Sequence, residues 1–189
     1  SRLPVISAVS QSIDLVYPKQ TRRMNKKDIA EFRRWHRNAA LNAKAAGFDI
    51  IYVYAGHGMT LTQEFLLPEI NDRADEYGGS IENRCKFVIE VLTAVVEAIG
   101  ANKTAIRISP NGTFNDVAET ESEATYTYLI NEIKNLDLAF LHVSNQAGFD
   151  SIPFARKLYP GLIVANSGYA DKTKVETAKR ILGGDEFSF

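Results

Sequence analysis

Five short apolar runs, separated by stretches of helical periodicity, restrict this chain to a small set of folds. The runs are Asp49–Tyr54, Thr104–Ser109, Ala139–Ser144, Leu162–Asn166 and Glu186–Phe189. Their β-branched and aromatic content predicts strands buried on both faces. Helices are predicted from about Lys26 to Ala46, Ser80 to Gly100, Glu121 to Leu136, Pro153 to Leu158 and Lys172 to Leu182. Gly47 and Gly100 are natural stops for the first two. Ser80 with Asn83 supplies half a capping box. The connections are long enough for crossovers, so the strands are expected to run parallel. Residues 1–25 are expected to be irregular apart from a β-leaning run from Val5 to Val9, and residues 55–80 to form one long connection.

Composition removes several function classes. Of the 189 residues, 45% are hydrophobic, enough for a single domain over 1–189 with its own core. A net charge of −1 gives no footprint for nucleic acid or an anionic membrane. The basic cluster Arg22, Arg23, Lys26, Lys27, Arg33, Arg34 and Arg37 is interleaved with Asp28 and Glu31, and reads as a solvated helix face. Cys85 is the one cysteine, so no disulfide framework exists; it reads as a buried, inert thiol in a reducing, cytoplasmic setting. No apolar run is long enough to span a membrane, and no targeting signal is expected.

Two α/β folds remain open at this point. A flavodoxin-like sheet uses five parallel strands, but its phosphate loop follows the first strand, and the turn here is Ala-Gly-His-Gly-Met. A (β/α)8 barrel uses eight strands and about 250 residues, so this sequence would cover only part of one. A receiver-like signalling domain needs acidic residues at the strand ends, whereas Asp49 stands at the start of its strand. In any parallel α/β fold the ligand edge is the C-terminal end of the strands. There the sequence places Tyr54 and His57, Arg107 and Ser109, His142, Ser144 and Asn145, then Asn166, Ser167 and Gly168. Tyr54 is also compatible with a core aromatic, and His142 with a satisfied buried histidine. Arg107 is different: a guanidinium in an apolar strand keeps its charge and requires an anion or several acceptors. Ser167-Gly168 before a helix suits a phosphate.

Longer motifs are more specific. Arg73-Ala-Asp-Glu-Tyr-Gly-Gly-Ser-Ile-Glu-Asn-Arg84 matches R-x-D-x-Y-G-G-S-(I/L)-E-N-R, a signature of the Old Yellow Enzyme superfamily, at every fixed position. Gly47 to Gly58 resembles that family's strand and active-site turn. Arg107-Ile-Ser-Pro-Asn-Gly-Thr-Phe-Asn-Asp116 resembles a stretch of its bacterial ene-reductases, and Asn166-Ser-Gly-Tyr169 its G-G-Y phosphate turn.

The resemblance implies a partial (β/α)8 barrel of about five parallel strands, the fourth to eighth of the parent, with FMN at the C-terminal mouth. Arg107 would hold the electron-rich edge of the isoalloxazine, where a fixed cation stabilises the anionic reduced ring. Ser167 and Gly168 would hold part of the phosphate. Tyr54 and His57 would be catalytic, binding the substrate's polar group during hydride transfer at flavin N5; Met59 and Asn145 would face the substrate. The implied electron partner is NAD(P)H or an electron-transfer protein. The Tyr54-x-x-His57 spacing is similar to the trimethylamine and histamine dehydrogenase branch and leans towards an amine substrate; the Arg107–Asp116 stretch leans towards an activated alkene. Asn145 stands where the amine branch has a carboxylate, and Met59 where ene-reductases often have tyrosine. The family's remaining flavin contacts would lie outside this sequence. The chain alone is therefore expected to bind FMN weakly, and to associate with itself or with a complementary barrel fragment.

Overall fold

The computed structural model describes residues 22–56, 60–112, 119–145 and 149–166, together with the backbone of 6–7. The helix and strand predicted beyond Asn166 lie outside these residues. The first described element is a two-residue strand, β1 (Ile6–Ser7), inside the β-leaning run Val5–Val9; it pairs in parallel with β2 (Arg22–Arg23), where no strand was expected. Arg22 and Arg23 therefore stand on a strand and not on the helix face assigned to them. Helix α1 (Lys26–Ala45) follows. Asn25 caps it: its side-chain oxygen accepts the Lys27 and Asp28 N–H groups, and Asp28 accepts the Asn25 N–H in return. The Arg22 guanidinium beside Asp28 holds that carboxyl down to about 2. Gly47, at φ +90°, turns the chain out of the helix as expected.

The main sheet is built from β3 (Ile51–Ala55), β4 (Thr104–Ile108), β5 (Phe140–Ser144) and β6 (Ile163–Asn166), all parallel, in that order. Helices α2 (Leu61–Leu66), α3 (Ile81–Ile99), α4 (Ser122–Ile133) and α5 (Ser151–Leu158) lie in the crossovers, with a short 3-10 turn (Ala101–Lys103) before β4. Three boundaries differ from the sequence reading. The long connection holds α2. Helix α4 stops at Ile133, three residues short of the predicted end, and Asp137 takes a left-handed φ of +53° in the turn into β5. Helix α5 begins at Ser151, with Pro153 in its first turn, where a missing N–H removes no helical bond.

The two faces of the sheet have unlike surroundings. Val53, Ile106, Leu141 and Ile163 form one lateral row, buried against the helices. Phe87, Val88, Val91, Leu92, Val95 and Ile99 of α3 cover that side, as their spacing predicted. Phe65 of α2 stacks on Phe87 at 4.0 Å, and Phe32 of α1 meets the same ring at 5.3 Å. The opposite face is open: Tyr52 is 46% exposed, Leu162 57% and Val164 38%. The expectation of strands buried on both faces is thus corrected, since the described helices cover one face only.

The signature stretch builds the crossover between α2 and α3. Arg73, buried, donates to the Met24 carbonyl at 2.8 Å and pairs with Asp75. Asn71 donates to the Phe65 and Tyr77 carbonyls, both at 2.7 Å. A Cβ at Gly78 would lie 2.2 Å from the Arg73 carbonyl oxygen, so only glycine fits. Ser80 caps α3 by accepting the Asn83 N–H. Arg84 donates to the Leu66 carbonyl at 3.0 Å, to the Gly79 carbonyl, and to Glu121 at the start of α4. Arg84→Met leaves these buried carbonyls unpaired. We expect it to cost roughly 2–4 kcal/mol, read as a lower urea midpoint with an unchanged slope.

Candidate functional site

The open face carries a polar row one residue from the C-terminal edge of the sheet. Tyr54 of β3 stands in register with Arg107 of β4, Arg107 with His142 of β5, and His142 with Val164 of β6. Alternation along a strand puts all four side chains on the face opposite the helices. Three candidate residues from distant parts of the sequence thus become neighbours through strand register alone.

Arg107 is the centre of the row. Its Nε and Nη2 are buried and have no hydrogen-bond partner among the described residues. Its guanidinium lies over the Tyr54 ring at 5.0 Å from the centroid, a cation–π contact that steadies the charge without using its N–H donors. Buried donors of a permanent cation cost free energy until an acceptor reaches them. His142 is half-buried, its ring edge-on to Tyr52 at 6.1 Å. Burial first, and the Arg107 charge second, hold its imidazole below the ordinary histidine range. It is a neutral neighbour of Arg107 and not a core histidine.

The turn after β3 is held by α2. The Thr62 hydroxyl donates to the Tyr54 carbonyl and the Thr60 hydroxyl to the Gly56 carbonyl at 3.1 Å. Gly56 packs so closely on Ser109 that a Cβ would lie 2.5 Å from the Ser109 Oγ. That hydroxyl is buried without a hydrogen-bond partner. Asn145 sits just past β5. Its N–H donates to the Asn166 carbonyl, and its side-chain oxygen accepts the Ser151 N–H at 2.7 Å. One of its polar atoms therefore serves the start of α5. His57, Met59, Ser167 and Gly168 lie outside the described residues. Glu119, Gln63, Thr60 and Thr62 were not singled out from sequence; their ordinary composition in loop and short-helix contexts gave no signal. Among the described residues no group of His, Cys, Asp and Glu is placed to hold a metal, and no helix is long and apolar enough to cross a membrane.

Comparison with known proteins matches this geometry to a family. Residues 5–157 match the NADH:flavin oxidoreductase / NADH oxidase family. The chain is 38% identical over 167 residues to a probable flavin mononucleotide-dependent alkene reductase of Leishmania infantum, covering 85% of this chain and 44% of that protein. It is 43% identical over 133 residues to 12-oxophytodienoate reductase 7 of Oryza sativa subsp. japonica, covering 68% of this chain and 33% of the relative. Among solved structures it resembles the old yellow enzyme homologue from Zymomonas mobilis, with a TM-score of 0.84 and 27% identity over 99% of this chain and 57% of that one. Morphinone reductase in complex with tetrahydroNAD gives a TM-score of 0.82 at 27% identity, covering 97% and 54%. The chain spans about half the length of the relatives it matches, and its parallel strands and helices correspond to part of their barrel. By sequence and by fold, this chain belongs to the NADH:flavin oxidoreductase / NADH oxidase family, the group that includes the old yellow enzymes.

Proposed function

We propose that residues 1–189 form one unit, the C-terminal part of a flavin-binding barrel that reduces activated alkenes with electrons from NAD(P)H. The observation that carries this reading is the pair of buried, unpartnered Arg107 donors on the open face. They suit a ligand edge that is rich in acceptors and gains negative charge on reduction, as FMN is. When bound, FMN supplies the hydride. Arg107 holds the edge that becomes anionic, and the Tyr54 ring beneath the guanidinium orients it. His142, neutral beside Arg107, adds no second charge to repel or neutralise.

On this reading His57 with Tyr54 receives the substrate's polar oxygen, Met59 and Asn145 border it, and Ser167 and Gly168 take part of the phosphate. A named relative is a probable flavin mononucleotide-dependent alkene reductase, which supports that substrate class; the Tyr54–His57 spacing is the feature favouring an amine. The lone buried thiol, Cys85, supports a reducing, cytoplasmic setting.

The bare side of the sheet supports a second part of the proposal. Tyr52, Leu162 and Val164 are too exposed for a finished barrel interior. The remaining barrel strands, or a second copy of this chain, would cover them. Without that cover we expect a barrel fragment that binds FMN weakly or not at all.

Flavin absorbance and fluorescence quenching test this directly. The chain alone is expected to bind above micromolar. The chain mixed with the N-terminal half of a related barrel is expected to form a yellow complex. Arg107→Met in that complex weakens FMN binding about ten- to a hundredfold, the equivalent of a charge-assisted hydrogen bond. A colourless mixture, or undiminished affinity in Arg107→Met, overturns the reading. His142 gives a separate check. Its folded pKa lies below the unfolded value, so the unfolded chain binds protons first as pH falls. Its contribution to stability is present above about 6.5 and is lost as pH drops through the folded value. Histidine NMR is expected to place its pKa below the ordinary value, and Arg107→Met to raise it part of the way back.

A further inference from the structure

A partly buried carboxylate outside the polar row connects the two segments that carry it. Glu119 stands in the connection from β4 to α4. Its Oε1 accepts the Gln63 Nε2 at 2.9 Å and the Tyr126 hydroxyl at 3.3 Å. Its Oε2 accepts the Asn111 N–H at 2.6 Å and the Ser122 hydroxyl at 2.7 Å. Gln63 and Tyr126 are fully buried. Burial pushes the Glu119 carboxyl up although these donors pull the other way.

The donors belong to different parts of the site. Gln63 lies on α2, between the residues that hold the Tyr54 carbonyl and the core ring Phe65. Asn111 ends the segment leaving β4, three residues from Ile108, in a left-handed conformation at φ +58°. Ser122 and Tyr126 are on α4. If Glu119 served only to tie down the start of α4, the Ser122 and Asn111 contacts would suffice. The fully buried Gln63 amide, 56 positions away in sequence, adds a bond from the turn that follows β3.

We propose that Glu119 is a positioning residue that fixes the turn after Tyr54 against the end of the Arg107 strand. Its purpose rests on the flavin reading, because these are the two segments between which flavin and substrate would be held. The link itself does not depend on that reading. Glu119→Gln keeps the shape but replaces one acceptor by a donor, which then faces donors on one side or the other. The Gln63→Met variant removes the α2 arm, including its hydrogen bond with the Tyr126 side chain, and leaves the Asn111, Ser122 and Tyr126 bonds to Glu119 in place.

Hydrogen exchange read by mass spectrometry on the full chain decides the matter. In Glu119→Gln, peptides covering 54–66 and 108–112 are expected to exchange about tenfold faster together, with α3 and β5 unchanged. In Gln63→Met, the 54–66 peptide is expected to loosen while the Ser122 end of α4 does not. The double variant Gln63→Glu with Glu119→Gln restores one carboxylate–amide pair and is expected to recover protection at 54–66. In a flavin-bound form, Glu119→Gln is expected to shift the visible flavin spectrum as well. Loosening confined to 111–126, or no change at 54–66 in Gln63→Met, overturns the proposal. If Glu119→Gln fails to fold, Gln63→Met and the double variant still decide it. Failure of the unaltered protein to bind flavin with its barrel partner would sink the functional reading alone, since the exchange result needs no flavin.

Discussion

A guanidinium with buried donors and no acceptor is the constraint around which this structure turns. Arg107 cannot shed its charge, and the strand that bears it leaves no room for the side chain to reach solvent fully. Elsewhere the chain treats its buried arginines differently. Arg73 and Arg84 are surrounded by carbonyls and carboxylates, and each holds two segments together. The three share a charge and differ in surroundings. Two are satisfied from within and serve architecture; one is left open on the face away from the helices.

That difference follows from the sheet. Four parallel strands present one row to the helices and the next to the other side. The helix-facing row is aliphatic and buried. The other row mixes tyrosine, arginine and histidine with exposed aliphatics. A sheet of this kind is stable because α3 and α4 bury one face. In a parallel α/β fold the other face, close to the strand ends where crossover turns converge, is where a ligand would be met.

Much of this was legible in the sequence. The α3 stripe from Phe87 to Ile99, its Ser80 cap and the Gly47 stop gave helices with sound limits. The parallel direction of the strands followed from crossover length. Arg107 stood out because a permanent charge inside Ala-Ile-Arg-Ile-Ser has no ordinary structural explanation. Other features were hidden for physical reasons. Helix α2 is six residues long, too short for a periodic signal. The open face was missed because a run such as Ile-Tyr-Val-Tyr reads as buried on both sides whether or not a second layer covers it. The Glu119 network joins residues distant in sequence, and no local pattern announces it. Asn145 was placed correctly at the edge, but its bond to the Ser151 N–H depends on the start of α5, two residues earlier than the sequence suggested. The long signature motif identified the family, yet its residues shape a crossover; the proposed site residues lie outside it.

The most direct measurement is the Nε–H resonance of Arg107 in nitrogen-15 NMR, followed as FMN is added to the chain completed by the rest of a barrel. Engagement of the open donor by the flavin predicts a downfield shift and slower exchange of that proton at saturation. A resonance that stays where it was, while the flavin is demonstrably bound, would contradict the account.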